Sequence, residues 1–305
     1  MYLAPDDAKT DVILASAVVV FGGSLIGFVT GLPFYPRTGL VAGVLDVAWI
    51  LALTVLVPML LARYRRDGAA AFGVTGGGWF AGLPLALPAV AVGVAVPWLT
   101  PGVRDEVALG RIAAVQPFPG SVVDSVVVLA QVAAFSLGAL LLFGFLASRA
   151  REGFPRSPEL PLKQLVRTGG LVLAAAAAVT GAAGAIGPGG GWVSSLAVAG
   201  LNAAAILALV LLVDRRVPFG LTVPRAAVIT PLIVVLIAHI FATGGLFRGD
   251  LVTGLHTAAL GGGVALVIAA LAQTRAGVAP AVWLVIAVHW WPTCLSPLSL
   301  AGGVC

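Results

Sequence analysis

Apolar stretches of about 20 residues recur along the chain, separated by short polar segments that carry most of its charge. A stretch of that length, wound as a helix, matches a hydrocarbon core of roughly 30 Å. The stretches fall near residues 12–32, 41–62, 78–99, 122–147, 166–187, 192–213, 226–246, 251–273 and 278–297. In lipid, each must satisfy its own backbone hydrogen bonds, which selects the helix. The pattern predicts an all-α protein, a polytopic transmembrane helix bundle of about nine spans, with residues 1–305 forming one membrane domain. The segment 187–191 (GPGGG) reads either as a tight turn or as the break in a discontinuous helix.

Composition agrees with that placement. Hydrophobic residues make up 60% of the chain and charged residues 10%, with a mean hydropathy of +1.10; a soluble domain is charged at about a quarter of its positions. The N-terminal Asp6, Asp7, Lys9 and Asp11 provide no basic leader region ahead of the first run, so that run is expected to be a retained helix. Cys294 and Cys305 have no zinc-finger or redox spacing. A pairing between the two is open if both lie outside the cytoplasm.

The net charge of +5 changes the picture only through its distribution. Lys and Arg form no stripe with interleaved aromatics, which excludes nucleic acid as the expected partner and leaves the lipid bilayer. With the N-terminus placed inside, the cytoplasmic segments hold Lys9, then Arg63, Arg65 and Arg66, then Arg149, Arg151, Arg156, Lys163 and Arg167, then Arg215, Arg216 and Arg225, and last Arg275. The opposite side holds Arg37, Arg104, Arg111 and Arg248. This asymmetry orients the bundle with its N-terminus in and its C-terminus out. The basic connection 148–167 is expected to be a cytoplasmic, amphipathic segment facing anionic lipid.

The 39 glycines imply close helix contacts, because helices in lipid associate through small residues that let backbones approach. Gly23, Gly27 and Gly31 form a doubled GxxxG face, read as packing within the bundle. Pro58, Pro84, Pro88 and Pro231 lie inside apolar runs and are expected to kink them.

Ionisable side chains inside a span cost about 2.5 to 3.5 kcal/mol at its centre and are the default functional candidates. Asp46, His239, His256 and His289 are the principal ones, and the chain has no other histidine. The topology sets all four roughly 8 to 11 Å below the outer interface at 1.5 Å per residue. Three histidines at one level suit a divalent transition metal such as Zn²⁺ or Cu²⁺, or acid/base work, with His239, His256 and His289 as ligands. The other reading is that each histidine hydrogen-bonds a carbonyl or hydroxyl of a neighbouring helix or stays hydrated near the interface. Asn202 and Gln131 read as interhelical hydrogen-bonders. Asp105 and Glu106, beside Arg104 and Arg111, read as a solvated outer loop. The sequence has no HExxH, GxSxG or P-loop, and no GxGxxG in a dinucleotide-binding context, which excludes the chemistries those motifs carry.

Several segments resemble the CPBP family, the CAAX-protease and bacteriocin-processing intramembrane endopeptidases. The N-terminal part matches in its two apolar runs, the basic ARYRRDG (62–68) and AFGVTGGGW (71–79). The C-terminal part matches through VLIAHI (235–240) and AQTRAGVAPAVWLVIAVH (272–289), which resemble the family's two histidine motifs. The resemblance implies an intramembrane endopeptidase acting on a membrane-embedded peptide or protein, in the plasma (inner) membrane of a bacterium, with His239 and His289 as site residues. Val235 stands at the family's Phe position and Thr293 at its Asn position. The paired glutamates that activate water in the family are absent from GLNAAAILALVLLVDRR (200–216), and Asp46 is the carboxylate at the right depth to act as base. The expectation is therefore a divergent or non-catalytic member. Two other readings are a membrane protein that binds metal or passes a small solute, and a structural or assembly partner in the membrane.

Overall fold

The computed structural model describes residues 4–35, 39–75, 78–84, 122–185, 192–242 and 251–286. They are overwhelmingly helical. Helix α1 spans Pro5–Gly31, and α2 (Gly39–Leu51) runs through a π-helical turn, Ala52–Leu56, into α3 (Val57–Tyr64). Helix α4 covers Val122–Gly153, α5 Leu162–Ala185, α6 Trp192–Arg216, α7 Arg225–Ala242 and α8 Leu251–Ala272. Two three-residue strands, β1 (Glu159–Pro161) and β2 (Thr222–Pro224), pair antiparallel with Leu160 opposite Val223.

The all-α expectation holds. Among the described residues, five helical stretches are long and apolar enough to cross a membrane: Pro5–Thr30, Leu40–Tyr64, Leu129–Gly153, Leu162–Ala183 and Gly254–Ala272. Helix α6 also covers the expected run at 192–213, and α7 covers the described part of the run at 226–246, to Ala242. Of the runs at 78–99 and 278–297 only the first few residues are described; Pro88 and the 187–191 segment lie outside the described residues. Phe21, Leu25 and Phe28 on α1 and Leu171, Val172 and Val179 on α5 are exposed on the outside of the bundle. A helix apolar on its outward face as well as its inward one suits a lipid surround.

The core is built around α8, which is buried on every side from Ala258 to Leu271. Successive helical residues point about 100° apart, and three consecutive glycines use this to seat three neighbours. Gly261 lies against the His239 imidazole of α7, Gly262 against Leu173 of α5 with Leu232 and Leu236 of α7, and Gly263 against Ile206 of α6. Gly23 and Gly27 of α1 are buried within the bundle, in line with intramolecular packing.

Pro58 does not break its helix. It has no N–H for the Thr54 carbonyl, and the chain widens into the π turn just ahead of it. The Thr54 hydroxyl donates to the Ile50 carbonyl at 2.6 Å, and Gly138 of α4 packs against the Thr54 side chain. Across the 148–167 connection α4 continues to Gly153, β1 follows a short turn, and α5 begins at Leu162.

The described Lys and Arg residues all gather at one end of the bundle. That end is closed by contacts between its connections. Gly153 packs on Lys9, the Val278 N–H donates to the Gly73 carbonyl at 2.9 Å, and the Arg225 N–H donates to the Pro158 carbonyl at 2.8 Å. Arg37, Arg104, Arg111 and Arg248 lie outside the described residues.

Candidate functional site

Six polar side chains carried by the helices lie in the other half of the bundle. His256, Asn202, Thr180, His239, Asp46 and Gln131 each lie within about ten residues, roughly 15 Å, of the helix end opposite the basic one. They divide into separate groups.

His256 is 2% exposed and sits where α8 meets α5 and α6. Its Nδ1 faces Thr180 Oγ1 at 3.4 Å, and its Nε2 faces Asn202 Nδ2 at 3.5 Å. The Thr180 hydroxyl donates to the Ala176 carbonyl at 2.7 Å, so it is free to accept from the ring. A consistent network has Nδ1–H donating toward Thr180 and the Asn202 amide donating to Nε2. Both hydrogen bonds are long, and both partners are uncharged.

His239 is anchored on its own helix. Its Nδ1 donates to the Val235 carbonyl one turn earlier at 3.0 Å, and its Nε2 edge rests on Gly261. A Cβ added at Gly261 lies 2.9 Å from that nitrogen, so glycine makes the room for the ring. Gly261 and His256 are about 140° apart around α8 and about 7.5 Å apart along it. The two imidazoles thus approach the central helix from different sides.

Asp46 belongs to a third group, between α2 and α4. Its Oδ1 accepts from the Tyr35 hydroxyl at 3.4 Å and its Oδ2 from Gln131 Nε2 at 3.4 Å. Burial, reinforced by the Asp46 carboxylate, pushes the Tyr35 phenol above its ordinary value. His289 lies outside the described residues. Among the described residues, no three of His, Cys, Asp and Glu converge to hold a metal. Asn202 and Gln131 form the interhelical contacts expected of them; Thr180 carried no signal in the sequence beyond being a hydroxyl in an alanine-rich run.

A cluster that the sequence presents only as topology charges stands at the basic end. Arg149 of α4 pairs with Asp11 of α1, Asp67 after α3, and Glu152. Arg65 pairs with Asp7 at 2.9 Å and Asp11 at 3.2 Å. The Arg149 guanidinium also lies 5.2 Å from the Phe145 ring centroid. Arg149 and Asp11 are each 2% exposed, and burial of that degree is rare for charged residues unless they are paired.

The apolar-faced helices define the chain as an integral membrane protein of the α-helical class. No family model, curated protein or solved structure matches it.

Proposed function

We propose that the chain is a CPBP-like multi-pass protein of a bacterial plasma membrane that recognises a membrane-embedded peptide or protein segment without hydrolysing it. In this reading it crosses the bilayer about nine times, with its N-terminus inside and its C-terminus outside. The gathering of the described basic residues at one end supports the orientation. The location of His239, His256 and Asp46 in the opposite half supports a polar recognition site in the outer half of the membrane.

The observation that carries the non-hydrolytic reading is the seat of His256. Helix α6, on which the resemblance asks for paired glutamates, meets that histidine with the amide of Asn202. An amide orients a ring but takes no proton from water, so this contact provides no general base.

The experiment is photo-crosslinking of the full-length protein in its native membrane, comparing wild type with His239→Ala/His289→Ala. A crosslinked membrane partner that remains full-length, and is lost in the double variant, is the expected result. A partner whose cleavage depends on the two histidines overturns the non-hydrolytic reading. Equal crosslinking by wild type and variant overturns the site. Cysteine accessibility across the connections tests the nine-span orientation separately.

A further inference from the structure

We propose that the β1–β2 ribbon and its flanks form a headgroup-binding surface for anionic phospholipid. Three features coincide there. The ribbon joins two connections that are distant in sequence, 154–162 and 217–225, into one rigid platform. Val217 and Val223 are buried beneath it at 3% and 2% exposure, and the Ala226 N–H donates to Ser157 Oγ at 3.0 Å.

Its charge is one-sided. The two connections and the adjoining ends of α5, α6 and α7 carry Arg156, Lys163, Arg167, Arg215, Arg216 and Arg225, against Glu159 and Asp214. Both acids are occupied: Glu159 accepts from the Thr222 hydroxyl at 2.7 Å, and Asp214 pairs with Arg167 at 2.7 Å. Arg156, Arg215, Arg216 and Arg225 are exposed. Among the described residues, none of these four pairs with an acid. By contrast, Arg149 and Arg65 at the same end are committed to the α1–α4 cluster.

The ribbon's turn also presents an aromatic tip. Phe219 is 86% exposed between Pro218 and Gly220, whose φ of +81° closes the turn, and Lys163 Nζ stands 3.7 Å from the ring centroid. An exposed ring held by buried valines, with an ammonium already beside it, matches the boundary where acyl chains meet phosphates. Aromatic residues favour that layer, and each nearby cation gains from a negative surface potential. Anionic lipid satisfies both the ring and the cations.

The inference rests on the membrane placement of the proposed function, and on its orientation only for the choice of leaflet. The test uses the purified full-length protein in neutral detergent, following its thermal midpoint as phosphatidylglycerol or phosphatidylcholine is added. Phosphatidylglycerol should raise the midpoint by several degrees more than phosphatidylcholine. That difference should more than halve in Arg215→Gln/Arg225→Gln, fall in Phe219→Ser, survive in Arg215→Lys/Arg225→Lys and shrink with added salt. Equal responses to the two lipids overturn the proposal, as does an unchanged difference in the Gln variant or in Phe219→Ser. A matching rise with inorganic phosphate alone marks a free-anion site and also overturns it. Should the Gln variant fail to purify, Phe219→Ser and the lipid comparison in wild type still decide. Lipid preference in detergent is independent of orientation, which Gly220→Cys accessibility in intact cells reads on its own.

Discussion

Arg149 Nε and Asp11 Oδ2 face each other at 3.4 Å across the α4–α1 contact, both buried, and neither atom has a better-aligned hydrogen bond. The guanidinium completes its shell with Asp67 and Glu152, and the carboxylate completes its own with Arg65. The cluster thus ties the first helix to the end of α3 and to α4 through charges already removed from water. Breaking such a set by removing Arg149 leaves the buried Asp11 with Arg65 as its remaining cation and takes the guanidinium from Asp67.

Arg149→Met should therefore destabilise the protein by about 3 to 5 kcal/mol, measured as a lowered unfolding midpoint in detergent. Asp11→Leu/Arg149→Met should recover part of that loss, because the buried carboxylate that has lost one of its two cations is then gone from between the two helices. A double variant no more stable than Arg149→Met shows that the pair is not coupled.

Gly261 and His239 make a second coupled pair. Gly261→Ala puts a methyl 2.9 Å from Nε2 and 3.0 Å from Cε1 of the imidazole, so the ring or α7 has to move. The expected cost is about 1 to 3 kcal/mol. His239→Ala/Gly261→Ala should cost less than the sum of the single changes, since the methyl then occupies vacated space. Simple additivity in this double-mutant cycle rules out the contact.

These pairs show what the sequence carries and what it lacks. Uninterrupted apolar runs locate α6 and α8 to within a few residues, Trp192–Arg216 for 192–213 and Leu251–Ala272 for 251–273, whereas α1 begins seven residues ahead of its run. Position along each of these helices was legible for the same reason, since it is counted from a helix end. Azimuth was not. A lipid-embedded helix is apolar on its outer face as well as its inner one, so periodicity gives no sign of which side meets which neighbour. The sequence therefore put His239 and His256 at one level without revealing that they address different sides of α8. The Asp11–Arg149 pair was hidden because a buried arginine near a helix end reads the same as one that orients the span.

Metal content tests the His256 network. Coordination through Nε2 has to displace Asn202, and coordination through Nδ1 has to displace Thr180. The purified protein should contain far less than one Zn²⁺ or Cu²⁺ per chain by elemental analysis, and chelator should leave its unfolding midpoint unchanged. Stoichiometric metal that disappears in His256→Ala contradicts the network. Asn202→Leu, by removing the amide from the Nε2 side of the ring, should cost about 1 to 2 kcal/mol.

Tyr35 supplies a pH signature away from the spans. Its phenol is raised first by burial and then by the nearby Asp46 carboxylate, both of which disfavour phenolate. The folded state therefore favours the protonated ring. That contribution is complete below the unfolded phenol's value near 10 and is lost as pH climbs through the higher folded value. An ultraviolet titration should show a late phenolate phase that is absent from Tyr35→Phe. Asp46→Asn should move the phase to lower pH while leaving part of the shift, because burial acts without the charge. An unchanged late phase in Tyr35→Phe assigns it to another tyrosine.

Arg66 closes α3 in a conformation that glycine adopts more readily, with φ at +59°. The Arg66 N–H donates to the Arg63 carbonyl at 3.0 Å, and the Asp67 N–H reaches back to the Ala62 carbonyl at 2.9 Å, which caps the helix and turns the chain. The turn delivers Asp67 to Arg149. Relief of the left-handed penalty is worth about 1 to 2 kcal/mol, less about 0.4 to 1 kcal/mol for the added freedom of glycine in the unfolded chain. Arg66→Gly should thus stabilise the protein by about 0.5 to 1 kcal/mol. The same substitution made in Arg149→Met should still gain, because the backbone term does not depend on the ion pair. A loss of stability in both backgrounds indicates that the Arg66 side chain makes a contribution larger than its backbone costs.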